Sequence, residues 1–374
     1  RLLPVPDGFV LMAPNRVWPV LRTPILSLKA KLRLMLEPFI PKASADSDES
    51  LASFVRRRLG NEVLQRLVQP LVGGIYTADP ESLSLRSTMP QFIEMEQKHG
   101  SLLRASLFGK SRGSSQVDKQ SSGARYGLFA TLRTGMGRLT QSLRDHLPKD
   151  AIHLETAVRE IVPAVNQSGW QVHLSNGSQI RADGVVIATE THHAAEMVRH
   201  FDGKLASELL TIPYASSAIA LVGFDRSQIR HPLNGFGLVV PACENRKILA
   251  ISFTSVKLPD RAPKGKVLLR VFVGGAMQPE LYSLSDEEIK KIVIEETSEL
   301  LGITGGPCLY QLARHHRSMP QYTLGHQQRV ERIREGFKTH QGLVFASNAL
   351  AGVGVPDCVR TAQLAAKELF GQLF

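Results

Sequence analysis

The feature that most restricts the fold of this chain is a short apolar run, a glycine-containing loop and a helical pattern near the C-terminus. Residues 342–346 have the composition of a buried β-strand, and the loop at 352–357 leads from it into an apolar-periodic segment at 359–370. A strand, a loop and a helix in this order bring free backbone N–H groups and the positive helix end to one point. The pattern predicts an α/β unit that can hold an anion or an electron-rich ring edge, although glycines here can also serve a plain turn.

The segment before this unit alternates between strand and helix patterns. Strands are predicted at 157–165 and 169–174, followed by a hairpin turn at Asn176-Gly177. The apolar run 184–188 is of the kind buried on both faces of a parallel sheet, and a helix is predicted from about 191 to 200. These elements favour an α/β fold.

A β-rich stretch and several helices complete the chain. Strands are predicted at 217–224, 236–240, 248–254 and 267–273, and Ser285 with Glu288 has the spacing of a helix capping box. Toward the N-terminus, residues 51–68 follow helical spacing with an interruption at Gly60. Residues 110–124 contain almost no apolar side chain, and we expect a linker and a domain boundary there.

A short basic helix is predicted at 26–38, and two interpretations of it remain open. Apolar and basic residues are interleaved along it: Leu28, Leu32, Met35 and Leu36 on one side, with Lys29, Lys31 and Arg33 among them. The helix could pack on its own domain as a surface helix. It could also lie in a lipid interface, held by its apolar face and by anionic headgroups.

Charge and cysteine content limit the classes of partner. Lys and Arg outnumber Asp and Glu by 45 to 34, a net charge of +11, which suits an anionic lipid or an anionic small molecule. No zinc spacing or RNA-binding signature is found, so no nucleic acid is expected. The three cysteines, Cys243, Cys308 and Cys358, form no CxxC pair, which argues against disulfides or a structural metal and favours a reducing compartment. No apolar run reaches the roughly 18 residues of a membrane-spanning helix.

Several segments, in order along nearly the whole chain, resemble the protoporphyrinogen oxidases. Residues 319–326 read MPQYTLGH and are similar to that family's PQYTLGH segment. Residues 346–358 resemble its C-terminal flavin-binding motif, and residues 53–63 and 73–79 resemble its helical insertion. Several long motifs matching in order are far more specific than one glycine pattern.

The resemblance implies an α/β (α+β) architecture of three domains. A helical membrane-associating domain with part of the substrate pocket would occupy residues 1–115, and a β-rich substrate domain residues 201–337. A Rossmann-like FAD-binding domain, incomplete at its N-terminus, would use residues 125–200 and 338–374. The implied reaction is the six-electron oxidation of protoporphyrinogen IX to protoporphyrin IX in haem biosynthesis, with molecular oxygen as acceptor. The protein would be cytoplasmic or peripheral on the inner face of a membrane, with a homodimer possible.

The same resemblance assigns binding residues by position. The residues implied to contact FAD are Val158, Gly135, Gln327, Asn348, Gly352, Val353, Gly354, Val355, Pro356 and Asp357. The residues implied to line the tetrapyrrole pocket are Phe236, Val239, Ser252, Phe272 and Ala105. No catalytic acid or base is identified, because the histidine pairs 192–193 and 315–316 are typical of solvated, charged stretches. No metal site is expected.

The sequence also departs from the family pattern. The family's GxGxxG loop, the acidic residue after its second strand and its substrate-binding arginine have no counterpart here. The chain is therefore expected to be truncated at its N-terminus and to bind FAD poorly on its own. The alternatives are a coproporphyrinogen III oxidase, another flavin amine-oxidase-like enzyme, or an inactive tetrapyrrole-binding remnant.

Overall fold

The structure is a computed structural model, and it describes residues 2–6, 9–10, 13–14, 17–44, 47–108, 131–165 and 168–374. The linker predicted at 110–124 lies outside these residues. The strands are β1 (Phe9–Val10), β2 (Ala13–Pro14), β3 (Val158–Pro163), β4 (Trp170–Leu174), β5 (Gln179–Ala182), β6 (Val185–Ile187), β7 (Tyr214–Asp225), β8 (Gly237–Val239), β9 (Ala250–Phe253), β10 (Lys266–Gly274), β11 (Leu309–Pro320) and β12 (Leu343–Phe345).

The helices follow in chain order. They are α1 (Val17–Arg22), α2 (Leu28–Met35), α3 (Leu51–Arg58), α4 (Asn61–Val63), α5 (Gln69–Tyr76), α6 (Leu85–Thr88), α7 (Pro90–His99), α8 (Leu102–Phe108), α9 (Gly137–Asp145), α10 (Thr191–Val198), α11 (Gly203–Leu210), α12 (Thr254–Lys257), α13 (Pro279–Tyr282), α14 (Asp286–Leu301), α15 (His326–Lys338) and α16 (Val355–Leu373). Of the described helices, none combines the length and apolarity that crossing a bilayer requires.

The chain divides into two compact units. The first unit contains Arg1–Phe129 and Tyr214–Met319, and the second contains Ala130–Pro213 and Pro320–Phe374. Each unit therefore combines an early and a late segment of the sequence.

A five-stranded sheet in the order β11-β7-β10-β9-β8 is the centre of the first unit. Alternate residues of β10, such as Leu269 and Val271, are buried in a core that α14 covers through Ile289 and Val293. The predicted capping box begins α14: the Ser285 and Glu288 side chains each accept a backbone N–H of the other. The strands predicted at 217–273 are confirmed, because apolar residues at period two supply one buried face.

The helices at the start of the chain belong to the first unit. Gly60 has a φ of 97° and separates α3 from α4, which confirms the interruption expected there. Ser27 caps the predicted helix α2, which packs on its own unit through Ala30 and Leu34. The apolar side of α2 is instead exposed to solvent: Leu28 by 78%, Leu32 by 64%, Met35 by 53% and Leu36 by 57%.

The second unit holds a three-stranded antiparallel sheet, β3-β4-β5, and the parallel pair β6 and β12. Helix α16 lies close against this pair, since a Cβ at Gly184 would be only 2.7 Å from the Leu369 Cδ1 atom. The strand–loop–helix order predicted at the C-terminus is confirmed. Burial of the run 184–188 on both faces is wrong, however, because Val186 is 39% exposed on the side opposite its buried neighbour Ile187.

Candidate functional site

Three of the five residues assigned to a substrate pocket share one face of the five-stranded sheet. Val239 lies opposite Ala250, and Ala250 lies opposite Phe272, so these residues form a row across β8, β9 and β10. Ser252 lies opposite both Gly237 and Arg270 in the next row along the same face. Directly paired residues point to the same side of a sheet, and residues two apart do as well. We call this the outer face, since the core residues occupy the alternate positions.

Helix α5 approaches the outer face at the β8 end. A Cβ placed on Gly74 would lie 3.6 Å from the Val239 Cγ1 atom, and the Gln69 side chain accepts the Ala242 N–H at 2.9 Å. Just after the C-terminal end of β10, Ala276 donates its N–H to the carbonyl of Thr77 at 2.8 Å. Thr77 is the C-cap residue of α5. Helix α5 and the turn after β10 therefore lie beside the outer face, where Val239, Ser252 and Phe272 are half-buried and Ala250 is buried.

The other two assigned pocket residues lie elsewhere in the first unit. The Phe236 carbonyl accepts the Phe253 N–H at 2.9 Å. Phe236 is thus one residue before Gly237, the partner of Ser252, and its side chain lies on the opposite side of the sheet. It is half-buried. Ala105 is buried in α8. The sheet register does not bring either residue into the rows that hold Val239 and Phe272.

Arg270 also lies on the outer face, although the family resemblance did not assign it to the substrate pocket. Its guanidinium carbon lies 5.2 Å from the centroid of the Phe272 ring, two residues along the same strand. The sequence does contain an indication of it. In the strand KVLLRVFVG, Arg270 interrupts an apolar run and lies two residues before Phe272, so both side chains are expected on the same face.

In the second unit, six of the ten residues assigned to the flavin, 352–357, form the loop before α16 and its first turn. Gly352 has a φ of 83°, and a Cβ there would lie 2.3 Å from the Asp357 Oδ2 atom. Only glycine fits this position without strain and collision. Gly354 is the N-cap of α16 and supplies no side-chain acceptor for the first N–H groups of this 19-residue helix, in which Pro356 has no N–H to satisfy.

The two segments that identify the family are joined directly. The Tyr322 hydroxyl, in the PQYTLGH segment, donates a hydrogen bond to the Asn348 carbonyl at the start of the loop. The Tyr322 ring also stacks on His326, with centroids 4.1 Å apart and an interplanar angle of 13°. Both side chains are buried. Tyr322 therefore anchors the backbone of the loop to the beginning of α15.

The remaining assigned cofactor residues are spread over the second unit. Val158 begins β3, Gly135 has a φ of 104° in the turn before α9, and Gln327 is exposed in the first turn of α15. Among the described residues, no hydrogen bond or ion pair joins these three to the loop at 352–357. Their roles stay predictions.

The two histidine pairs differ in their exposure to solvent. His315 and His316 are exposed on β11, as expected of a solvated stretch. The same expectation is wrong for His192, which is buried in α10 while His193 is exposed, because adjacent helical residues point about 100° apart. Within the described ranges, no cluster of His, Cys, Asp and Glu could hold a metal ion.

Comparison with known proteins identifies the family. The model of the family described as flavin containing amine oxidoreductase matches residues 2–370. Coproporphyrinogen III oxidase of Bacillus subtilis (strain 168) is 33% identical over 100% of this chain and 78% of its own length. Protoporphyrinogen oxidase of Homo sapiens is 30% identical over 87% of this chain and 70% of its own length.

A solved structure gives the same result for the fold. A provisionally assigned protoporphyrinogen oxidase from Exiguobacterium sp. 255-15 aligns with a TM-score of 0.84 at 27% identity, covering 98% of this chain and 78% of that one. The mixed α/β fold and the resemblance to the protoporphyrinogen oxidase type are confirmed. The chain belongs to the flavin-containing amine oxidoreductases, and the FAD-dependent oxidoreductase predicted from its sequence is confirmed as its class.

Proposed function

We propose that the protein oxidises a porphyrinogen to the corresponding porphyrin in haem biosynthesis. The observation that carries the proposal is the convergence of Val239, Ser252 and Phe272 on the outer face. Relatives that span most of the chain are named for this activity on coproporphyrinogen III and on protoporphyrinogen. FAD held by the loop before α16 would supply the acceptor for the hydride that leaves the macrocycle, with oxygen as the final acceptor.

The loop before α16 fits a flavin. A left-handed glycine at 352 leaves room for the Asp357 carboxylate, which a Cβ at this position would displace toward the flavin. The uncapped N–H groups at the start of α16 provide positive potential for an electron-rich edge. Asp357 lies in the same first turn, where the helix end and the Arg360 guanidinium, 2.7 Å away, stabilise its carboxylate. We assign Asn348 and residues 352–357 to the flavin.

The outer face of the first unit suits a broad tetrapyrrole. Phe272 offers an aromatic surface, and Val239 and Ala250 extend it across two further strands. The role of these side chains is to bind and orient the macrocycle and to exclude water from the reacting carbon. None of Val239, Ala250, Ser252 and Phe272 is an acid or a base, which agrees with a reaction whose difficult chemistry belongs to the cofactor.

Two substrates are candidates. Protoporphyrinogen IX is the substrate implied by the sequence motifs, and the human relative is named for it. Coproporphyrinogen III is favoured by the Bacillus subtilis relative, which is more similar and matches the chain along its whole length. The two macrocycles differ in charge, since coproporphyrinogen carries four propionates and protoporphyrinogen carries two.

We also propose that α2 attaches the protein to a membrane surface. Its apolar side chains Leu28, Leu32 and Met35 are exposed, and Phe39 beyond its end is 78% exposed. Lys29 and Lys31 lie among them and would meet anionic headgroups. Attachment would bring the enzyme to the surface where the less charged candidate substrate, protoporphyrinogen, collects.

The test is an activity assay of the FAD-loaded holoenzyme with each porphyrinogen separately. Porphyrin fluorescence should rise with one or both substrates, with consumption of oxygen. Absence of fluorescent product from both, in a preparation with a normal flavin spectrum, would overturn the proposed function.

A further inference from the structure

We propose that Arg270 binds a propionate carboxylate of the macrocycle and helps determine which porphyrinogen the enzyme accepts. The inference rests on the proposed function and assigns a specificity-determining residue within it. Three observations carry it: the position of Arg270 on the outer face, the lack of an ion-pair partner among the described residues, and its contact with Phe272.

The position of Arg270 follows from the strand register. It lies opposite Ser252 on β9 and opposite Leu221 on β7. Phe272, two residues further along β10, lies opposite Ala250 and Ile219. A macrocycle packed against this face would therefore meet the guanidinium, which lies over the Phe272 ring, and the Ser252 hydroxyl in the next row of the sheet. These are the groups that a carboxylate at the edge of an apolar ring requires.

No carboxylate neighbours Arg270 in the sheet. Its cross-strand partners are serine and leucine, and the acid at the end of the β7–β10 pair, Asp225, forms an ion pair with Lys266 at 2.7 Å. Arginine is seldom buried even in part without a counter-ion, because removing the charge from water is unfavourable. A face that holds an unneutralised guanidinium is suited to an anionic ligand.

The Phe272 ring holds the guanidinium in place. The guanidinium carbon is 5.2 Å from the ring centroid, within the range of a cation–π contact. Burial lowers the pKa of Arg270 from its usual value, which reflects the loss of solvation, although an arginine stays protonated at physiological pH. The cation is thus oriented on the same ring that would support the macrocycle, with its hydrogen-bond donors available for a bidentate bond to a carboxylate.

The experiment compares ligands that differ only in their carboxylates. Holoenzymes carrying Arg270→Met, Arg270→Lys or the control Arg181→Met, which changes an exposed strand arginine of the other unit, are titrated with coproporphyrin III and with its tetramethyl ester. Porphyrin fluorescence gives the Kd. Steady-state assays with both porphyrinogens give KM and kcat, and thermal unfolding gives the Tm.

We expect Arg270→Met to weaken coproporphyrin binding by roughly tenfold to a hundredfold, the range of a lost charge-assisted hydrogen bond. Ester binding should change less than about threefold, since the ester carries no charge. KM should rise more than kcat falls, and more for coproporphyrinogen, while Arg270→Lys should retain part of the affinity. Tm should stay constant or rise, because a poorly solvated cation is removed.

Several outcomes would overturn the inference. If Arg270→Met weakens the binding of coproporphyrin III and of its ester equally, Arg270 only maintains the shape of the sheet. If Arg270→Met binds coproporphyrin III as tightly as wild type does, Arg270 does not contact the propionate. If Arg270→Met fails to fold, Arg270→Lys decides by the same acid-to-ester ratio. A wild-type holoenzyme that oxidises neither porphyrinogen would instead remove the proposed function, and the inference with it.

Discussion

The guanidinium of Arg58 lies 2.7 Å from the carboxylate of Glu37, and both side chains are completely buried. Glu37 also accepts the Ser101 hydroxyl and the N–H groups of Leu102 and Leu103, at the start of α8. Burial lowers the pKa of Arg58 against the attraction of Glu37, so the cation depends on this partner. The pair connects α3 to the helix that carries the assigned pocket residue Ala105.

We expect Glu37→Gln to lower the free energy of unfolding of the first unit by about 3–5 kcal/mol, because it leaves a buried guanidinium without its closest counter-ion. Urea unfolding followed by far-ultraviolet circular dichroism measures the change. Glu81→Gln is the matched control, since its pair with Arg56 is exposed and should contribute less than about 1 kcal/mol. Equal shifts in the two variants would contradict the structural role of the buried pair.

The buried pair also shows what the sequence cannot reveal. Arg56, Arg57 and Arg58 are consecutive, and the sequence gives no reason to distinguish them. In the structure, only Arg58 of these three is fully buried. Which arginine turns inward depends on how α3 packs against the turn containing Glu37, and this is a tertiary property. The helix itself was predictable, because its apolar residues repeat at helical spacing.

The same distinction holds for the sheets and the candidate site. Period-two alternation predicted β7 to β10, and a strand–glycine–helix pattern predicted the flavin loop. The pairing register that places Ser252 opposite Arg270 was not predictable, since alternation fixes which residues share a face but not which ones are neighbours. The edge strand β11 was also missed, because its charged and exposed residues lack the alternation of a strand with one buried face.

We expect membrane attachment to depend on the apolar side of α2. The double change Leu28→Ser and Leu32→Ser should reduce binding to phosphatidylglycerol vesicles at least tenfold, since each side chain would lose about 1.5–3 kcal/mol of burial in the interface. Vesicle co-sedimentation measures the bound fraction. Leu210→Ser, at an isolated leucine that is 58% exposed on α11, should leave binding unchanged. Vesicle binding that is insensitive to the double change would exclude α2 as the attachment site.

We expect the second unit to become less stable in acid, because Asp202 becomes protonated there. Its carboxylate accepts the Leu205 N–H at 2.8 Å and contacts the His340 ring nitrogen at 2.8 Å. Burial opposes ionisation, but these hydrogen bonds outweigh it and lower the pKa of Asp202. The folded pKa is thus below the unfolded value of about 3.9. The stabilisation is complete above that pH and is lost as the pH falls through the folded pKa.

Asp202→Asn should therefore be less stable than wild type at neutral pH, by about 1 kcal/mol, and the difference should vanish in acid. Trp170 reports the transition by fluorescence, since its ring is buried near Phe201 and His340. Asp150→Asn, an exposed position, is the control that should follow wild type at every pH. A difference that persists undiminished at pH 2 would rule out ionised Asp202 as the cause.

Flavin binding should depend on the absence of a side chain at position 352. In Gly352→Ala the new Cβ would have to avoid Asp357, whose carboxylate oxygen lies 2.3 Å from its ideal position, while the backbone φ of 83° is unfavourable for alanine. The loop must shift, and we expect FAD affinity to fall at least tenfold, measured by quenching of flavin fluorescence. Gly371→Ala is the control within the same helix, because a Cβ there meets nothing within 4 Å and should slightly stabilise α16. Normal FAD affinity in Gly352→Ala, with Gly371→Ala also unchanged, would show that the cofactor does not use this loop.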